Sequence, residues 1–158
     1  MRVWPPSIIL LAALCATAGA QTPAAPACEL LTAAEVEAAT GWKPGVPKAE
    51  SYGTTGTCTF TGNALERQVV VLTVAGPAPK VASSTAFAER RIEQGRRMPE
   101  LATMAKPVEG LGAPAIRSDD GTGPATIEAV AGGRILGISA PTVEAAEALA
   151  KKVIPRVR

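Results

Sequence analysis

Two runs of strand-forming residues, Ala125–Ala131 and Arg134–Ala140, are separated only by the dipeptide Gly132-Gly133. A two-residue connection of this kind needs positive φ at both central positions, which glycine adopts without steric cost. The two runs are therefore predicted to be antiparallel neighbours, and this part of the chain cannot be a parallel sheet, which needs long crossovers. A second pair, Thr57–Thr61 and Arg67–Ala75, is β-branched and aromatic, with Gly62-Asn63 suited to the turn between. Within it, Val69-Val70-Val71-Leu72-Thr73-Val74 is apolar at both parities, which predicts a strand covered on both faces. Ala113–Ser118 supplies one more strand.

Three helices are marked by their ends. Thr32 and Glu35 form a capping box, with Leu31 and Val36 as its hydrophobic staple and Gly41 as the stop, giving a helix over Ala33–Thr40. The segment from Trp42 to Gly56 holds Pro44, Pro47 and several glycines, and reads as loop with room for one edge strand. After Pro77 and Pro79, Ser83-Ser84 cap a second helix through Gln94, stopped by Gly95. Phe87, Ala88, Arg91 and Ile92 lie on one stripe of it, and Arg91 is expected to snorkel. Thr142 caps the last helix, with Glu144 in its first turn, Lys151-Lys152 near its end and Pro155 closing it. Its buried stripe is Val143, Ala146, Leu149, Ala150, Val153 and Val157. The order α-β-β-α-β-β-β-α, joined mainly by hairpins, predicts an α+β fold with an antiparallel sheet between helices.

The first 20 residues stand apart. Arg2, the apolar run Ile8–Ala16 and the small-residue site Ala18-Gly19-Ala20 read as a signal peptide cleaved after Ala20, so the protein is expected to be periplasmic or secreted. The residue before Cys15 is Leu14, where a lipidation site needs a small residue. Residues 21–27, Q-T-P-A-A-P-A, read as a tether, and residues 28–158 as a single domain. Cleavage leaves four aromatics, Trp42, Tyr52, Phe60 and Phe87, and two cysteines, Cys28 and Cys58. In an oxidising compartment these two have one partner each. A disulfide closing about 30 residues contributes roughly 3 to 4 kcal/mol to such an aromatic-poor core.

The segment Pro26–Val36, the strand Cys58-Thr59-Phe60, the turn Val108-Glu109-Gly110-Leu111-Gly112 and the closing Ala/Leu helix together resemble the Cys-paired extracytoplasmic domains of unknown function common among actinobacterial lipoproteins. The resemblance covers nearly all of the exported part. It implies a PsbP-like fold, the α/β/α sandwich named for the extrinsic photosystem subunit. Phe60 stands where such domains often carry Trp.

Histidine is absent, which removes the usual general base, the Ser-His and Cys-His pairs and most zinc sites. Gly137-Ile138-Ser139-Ala140-Pro141 lacks the second glycine of a nucleophile elbow. Gly110-Leu111-Gly112-Ala113-Pro114-Ala115 precedes a strand rather than opening a helix, so it is a turn and not a dinucleotide loop. Asp119-Asp120-Gly121 holds the only aspartates but lacks the spacing of a calcium loop. Glu37, Glu89, Glu93 and Glu147 fall at exposed helix positions with nothing to pair them as hydrolytic carboxylates. No catalytic residue, metal or cofactor is assigned.

With 16 basic and 14 acidic residues the chain has no electrostatic case for nucleic acid. Arg90-Arg91 and Arg96-Arg97 could touch an anionic surface, a membrane contact that the net charge does not support. The expected function is a monomeric, non-enzymatic module of the cell envelope that binds a protein or small ligand. Its candidate surface is Trp42 and Tyr52 in the 42–56 loop with the adjoining sheet edge. A carboxylate-dependent hydrolase and a purely structural envelope protein are the alternatives.

Overall fold

The computed structural model of the protein describes residues 26–62, 68–95, 105–119, 121 and 123–157. The expected leader, Cys15, residues 21–25 of the tether, Asn63, Arg67, Arg96-Arg97 and Asp120 lie outside the described residues. The fold is α+β: the described residues form three helices, α1 (Ala33–Thr40), α2 (Ser84–Gly95) and α3 (Val143–Val153), and a seven-stranded antiparallel sheet. Its strands are β1 (Lys48–Tyr52), β2 (Thr55–Thr61), β3 (Val69–Ala75), β4 (Ala105–Val108), β5 (Ala115–Ser118), β6 (Ala125–Ala131) and β7 (Arg134–Ala140). They lie side by side as β1-β2-β3-β7-β6-β5-β4.

The element order therefore departs from the expected one by two strands, β1 and β4, one at each edge. Neither has the alternation that marks a half-buried strand, because an edge strand needs little burial to be held. All five residues of β1 are exposed. β4 contains Pro107, which no central strand would tolerate and an edge strand does. The local signals behaved as their chemistry requires. Thr32 Oγ1 accepts from Glu35 N–H at 3.3 Å and the Glu35 carboxylate accepts from Thr32 N–H at 3.0 Å, closing the capping box, while Gly41 ends α1 at φ 75°. Gly132 and Gly133 turn the β6–β7 hairpin at φ 55° and 70°.

Residues directly paired across strands share a face, so the register sorts every strand into an inner and an outer row. The inner row holds Cys58, Phe60, Val70, Leu72, Val74, Ile127, Ala129, Leu136 and Ile138, all inaccessible to solvent. α3 covers it with Ala146, Leu149, Ala150 and Val153, and α1 packs beside α3 through Val36. The Cys28–Cys58 disulfide, with Cα atoms 5.0 Å apart, ties the short 3-10 turn Ala27–Glu29 to the centre of β2 on this side. Arg156, just past α3, closes the layer by donating to Leu30 C=O at 2.9 Å and to both carboxylate oxygens of Glu35.

The outer face carries α2 alone among the described helices. Phe87 and Ala88 pack on Ile116 of β5, and Ser84, the buried polar residue of the core, donates to Val108 C=O at 2.8 Å and accepts from Ala115 N–H at 3.1 Å. Ser83 is the cap, accepting from Ala86 N–H; Ser84 is instead the pin that fixes α2 over β4 and β5. This placement corrects two expectations. β3 is covered on one face only: Val70, Leu72 and Val74 are buried while Val71, Thr73 and Ala75 are half-exposed, since α2 sits too far across the sheet to reach them. Ile92 is likewise left 38% exposed rather than packed.

Candidate functional site

The part of the outer face that α2 leaves open is built from small and hydroxyl-bearing residues. The register places Thr55, Thr57 and Thr59 of β2 beside Ala75, Thr73 and Val71 of β3. These in turn stand beside Ile135, Gly137 and Ser139 of β7, and those beside Val130, Glu128 and Thr126 of β6. Threonine is favoured on a pleated surface for its branched Cβ, and here it carries a hydroxyl to the solvent side at every second position of β2. Gly137 has no side chain in the middle of the array, and a Cβ built there would meet only the Thr73 Cβ, at 3.7 Å. The surface dips at this point into a groove of about 360 Å³ lined by the hydroxyls of Thr73, Thr126 and Ser139, by the apolar Val71, Ala75 and Ile135, and by Gly137, Glu128 and Arg91.

Arg91 crosses from α2 to close one side of the groove. Its Nε donates to Glu128 Oε2 at 2.7 Å and its Nη2 to Glu128 Oε1 at 2.5 Å, a bidentate pairing that holds both side chains in one geometry. Arg91 thus lies along the sheet as an ion-pair partner, with its side chain still 38% exposed. On its far side a second depression, about 380 Å³, runs between α2 and the segment Pro77-Ala78-Pro79 and shares Arg91 and Ile135 with the first. The arrangement can offer hydroxyl donors and acceptors over an open floor, with a fixed guanidinium–carboxylate pair at the rim. Glu128 is the carboxylate among the residues lining the groove, and both of its oxygens are engaged. Among the described residues no three His, Cys, Asp or Glu side chains gather as metal ligands, and no helix is long and apolar enough to cross a membrane.

The two aromatics expected to form a surface are separated. Trp42 is half-buried against the inner core, with its indole Nε1 enclosed and without a hydrogen-bond partner. Tyr52 is 91% exposed at the tip of β1, in the outer row next to Thr55. Near it Lys48 Nζ and Glu50 Oε1 stand 2.7 Å apart, an arrangement that raises the ammonium pKa and lowers that of the carboxyl. Ser139 lines the groove, and Asp119 accepts from Gly121 N–H at 2.8 Å in a small turn. The groove itself is missing from the sequence reading. The alternation Thr55-x-Thr57-x-Thr59-x-Thr61 marks only the adjoining outer row of β2, which does not line the groove.

Comparison with family models, with characterised proteins and with solved structures found no match to this chain. The site is therefore read from its own geometry.

Proposed function

We propose that this protein is an exported, non-enzymatic binding module of the cell envelope whose ligand sits on the open half of the outer sheet face. The observation that carries the reading is the groove over Gly137. Three hydroxyl side chains, Thr73, Thr126 and Ser139, stand there around Gly137 beside a locked Arg91–Glu128 pair, where packing alone would favour a covering helix. A small ligand that exchanges hydrogen bonds with the threonine and serine hydroxyls and rests apolar surface on Val71, Ala75 and Ile135 suits it. Export is supported by the Cys28–Cys58 disulfide, which needs an oxidising compartment, and by the leader read from the sequence. The resemblance to the Cys-paired extracytoplasmic domains, and with it a sandwich of the PsbP-like kind, agrees with helices on both faces of the sheet. A hydrolase would need a second carboxylate opposite Glu128.

The test is retention of small molecules. The protein is equilibrated with the low-molecular-weight fraction of an envelope extract, washed, and its bound compounds identified by mass spectrometry, beside a Gly137→Leu variant that fills the groove floor. A compound held by the wild type and lost from the variant supports the reading. Retention that is absent, or equal in the two proteins, overturns it.

A further inference from the structure

The two edges of the sheet differ in what they leave unpaired. At β4 the register sets Pro107 opposite Ile116, and a residue without an N–H can stand there only with its ring nitrogen turned outward, which blocks that edge at its middle. At β1 the outward row is intact. The Gly53-Thr54 connection is a two-residue hairpin loop with Gly53 at φ 57° and Thr54 at negative φ, so the flanking residues Tyr52 and Thr55 exchange both backbone hydrogen bonds. Pairing alternates from there. Tyr52, Glu50 and Lys48 spend their backbone groups on β2, while Ser51 and Ala49 present theirs to the outside, where among the described residues no strand lies.

We propose that this edge pairs with the same edge of a second copy of the chain, antiparallel and centred on Ala49. In that register Ala49 N–H donates to Ala49 C=O of the second copy and the reverse, and Ser51 N–H donates to Pro47 C=O. Pro47 has no N–H to return, so the Ser51 C=O at each end of the contact is left to water. Lys48 falls opposite Glu50 in the non-hydrogen-bonded position, where facing side chains come closest. Since Lys48 and Glu50 of one chain are already 2.7 Å apart, the two copies form a square of alternating charge. Centring the pair one residue along would set Glu50 against Glu50, a like-charge contact. The register also brings Tyr52 to the level of Val46, and these are the most exposed large hydrophobics among the described residues, at 91% and 92%.

The pairing uses neither the groove nor Arg91, so it stands or falls apart from the reading above, and it replaces the expected monomer with a weak dimer. An edge-to-edge contact of this length buries far less than the roughly 1,000 Å² of a stable complex, so association belongs at high concentration. Sedimentation velocity on the purified protein from about 10 μM to about 1 mM reads it directly. The expected result is a concentration-dependent shift from monomer to dimer. Ala49→Pro, which deletes the outward N–H and leaves the β2 ladder intact, is expected to lose the shift. Glu50→Lys is expected to weaken it about tenfold or more, and adding Lys48→Glu to that variant to restore it to within about threefold of wild type. These positions are exposed, so thermal unfolding of the charge variants should match wild type, and they decide the matter if Ala49→Pro does not fold. A monomer over the whole range, or a dimer indifferent to the charge reversal and its rescue, overturns the proposal.

Discussion

The inner and outer faces of this sheet are made by the same strands, residue by alternate residue, yet they are finished differently. On β2 the inner row reads Gly56, Cys58, Phe60 and the outer row Thr55, Thr57, Thr59. The inner row is sealed by α1, α3 and a disulfide; the outer row is covered only where α2 lands on β5. One face therefore carries the stability and the other is free to vary its side chains without unfolding the domain. That separation explains how a core poor in aromatics can leave half a sheet face unpacked.

The sharpest test sets neighbours on opposite faces against each other. Phe60→Ala is expected to cost roughly 3–5 kcal/mol in urea unfolding, because a fully enclosed ring leaves a cavity, whereas Thr59→Ala next to it is expected to change stability by less than about 0.5 kcal/mol. Equal costs would break the comparison. Replacing Cys28 and Cys58 together with Ala is expected to remove about 2–4 kcal/mol by freeing the unfolded chain, read as a lower urea midpoint. Trp42→Ala should then cost roughly 1–3 kcal/mol while Tyr52→Ala stays within about 0.5, since only the first side chain packs on the core.

A smaller effect tests the seam between α1 and the end of α3. Hydrogen bonding to Arg156 draws the Glu35 carboxyl from its ordinary 4.5 down to about 2, further helped by the Thr32 amide and hydroxyl and opposed by partial burial. A carboxyl whose pKa is lowered by folding adds stability above its unfolded pKa and loses it as pH falls through the folded one. The contribution is thus complete above about pH 5 and lost between about pH 4.5 and 2. Arg156 is partly exposed, so solvent screening limits it to about 1–2 kcal/mol. Glu35→Gln is expected to lower stability at pH 7 by that amount and to flatten the acid limb of a thermal-unfolding profile.

Much of the fold was legible because its signals are local. The Thr32–Glu35 capping box, the Gly41 stop, the Gly132-Gly133 turn and the caps at Ser83 and Thr142 each depend on residues within one turn of chain, and each lies where its chemistry puts it. β4 was not legible, and β1 only as room for one edge strand between Trp42 and Gly56, because an edge strand is held by hydrogen bonds to a neighbour and need not alternate. The groove was hidden for a related reason. Its threonines, glycine and serine come from three strands, and nothing near any one of them in the chain announces that the others will stand alongside.

The chain by itself determined the strand character of β2, β3, β6 and β7, the ends of each helix, the antiparallel sense of the β6–β7 hairpin and Cys28 and Cys58 as the one cysteine pair beyond the first 20 residues. These follow from φ preferences, side-chain alternation and counting. Which row of β3 would be covered was decided elsewhere, by Ser84 fastening α2 to Val108 and Ala115 at the far side of the sheet. An apolar strand accepts a covering layer on either face with nearly the same gain per unit of buried area. The choice between faces therefore belongs to the packing of elements distant in sequence, and here it left Val71, Thr73 and Gly137 open to solvent.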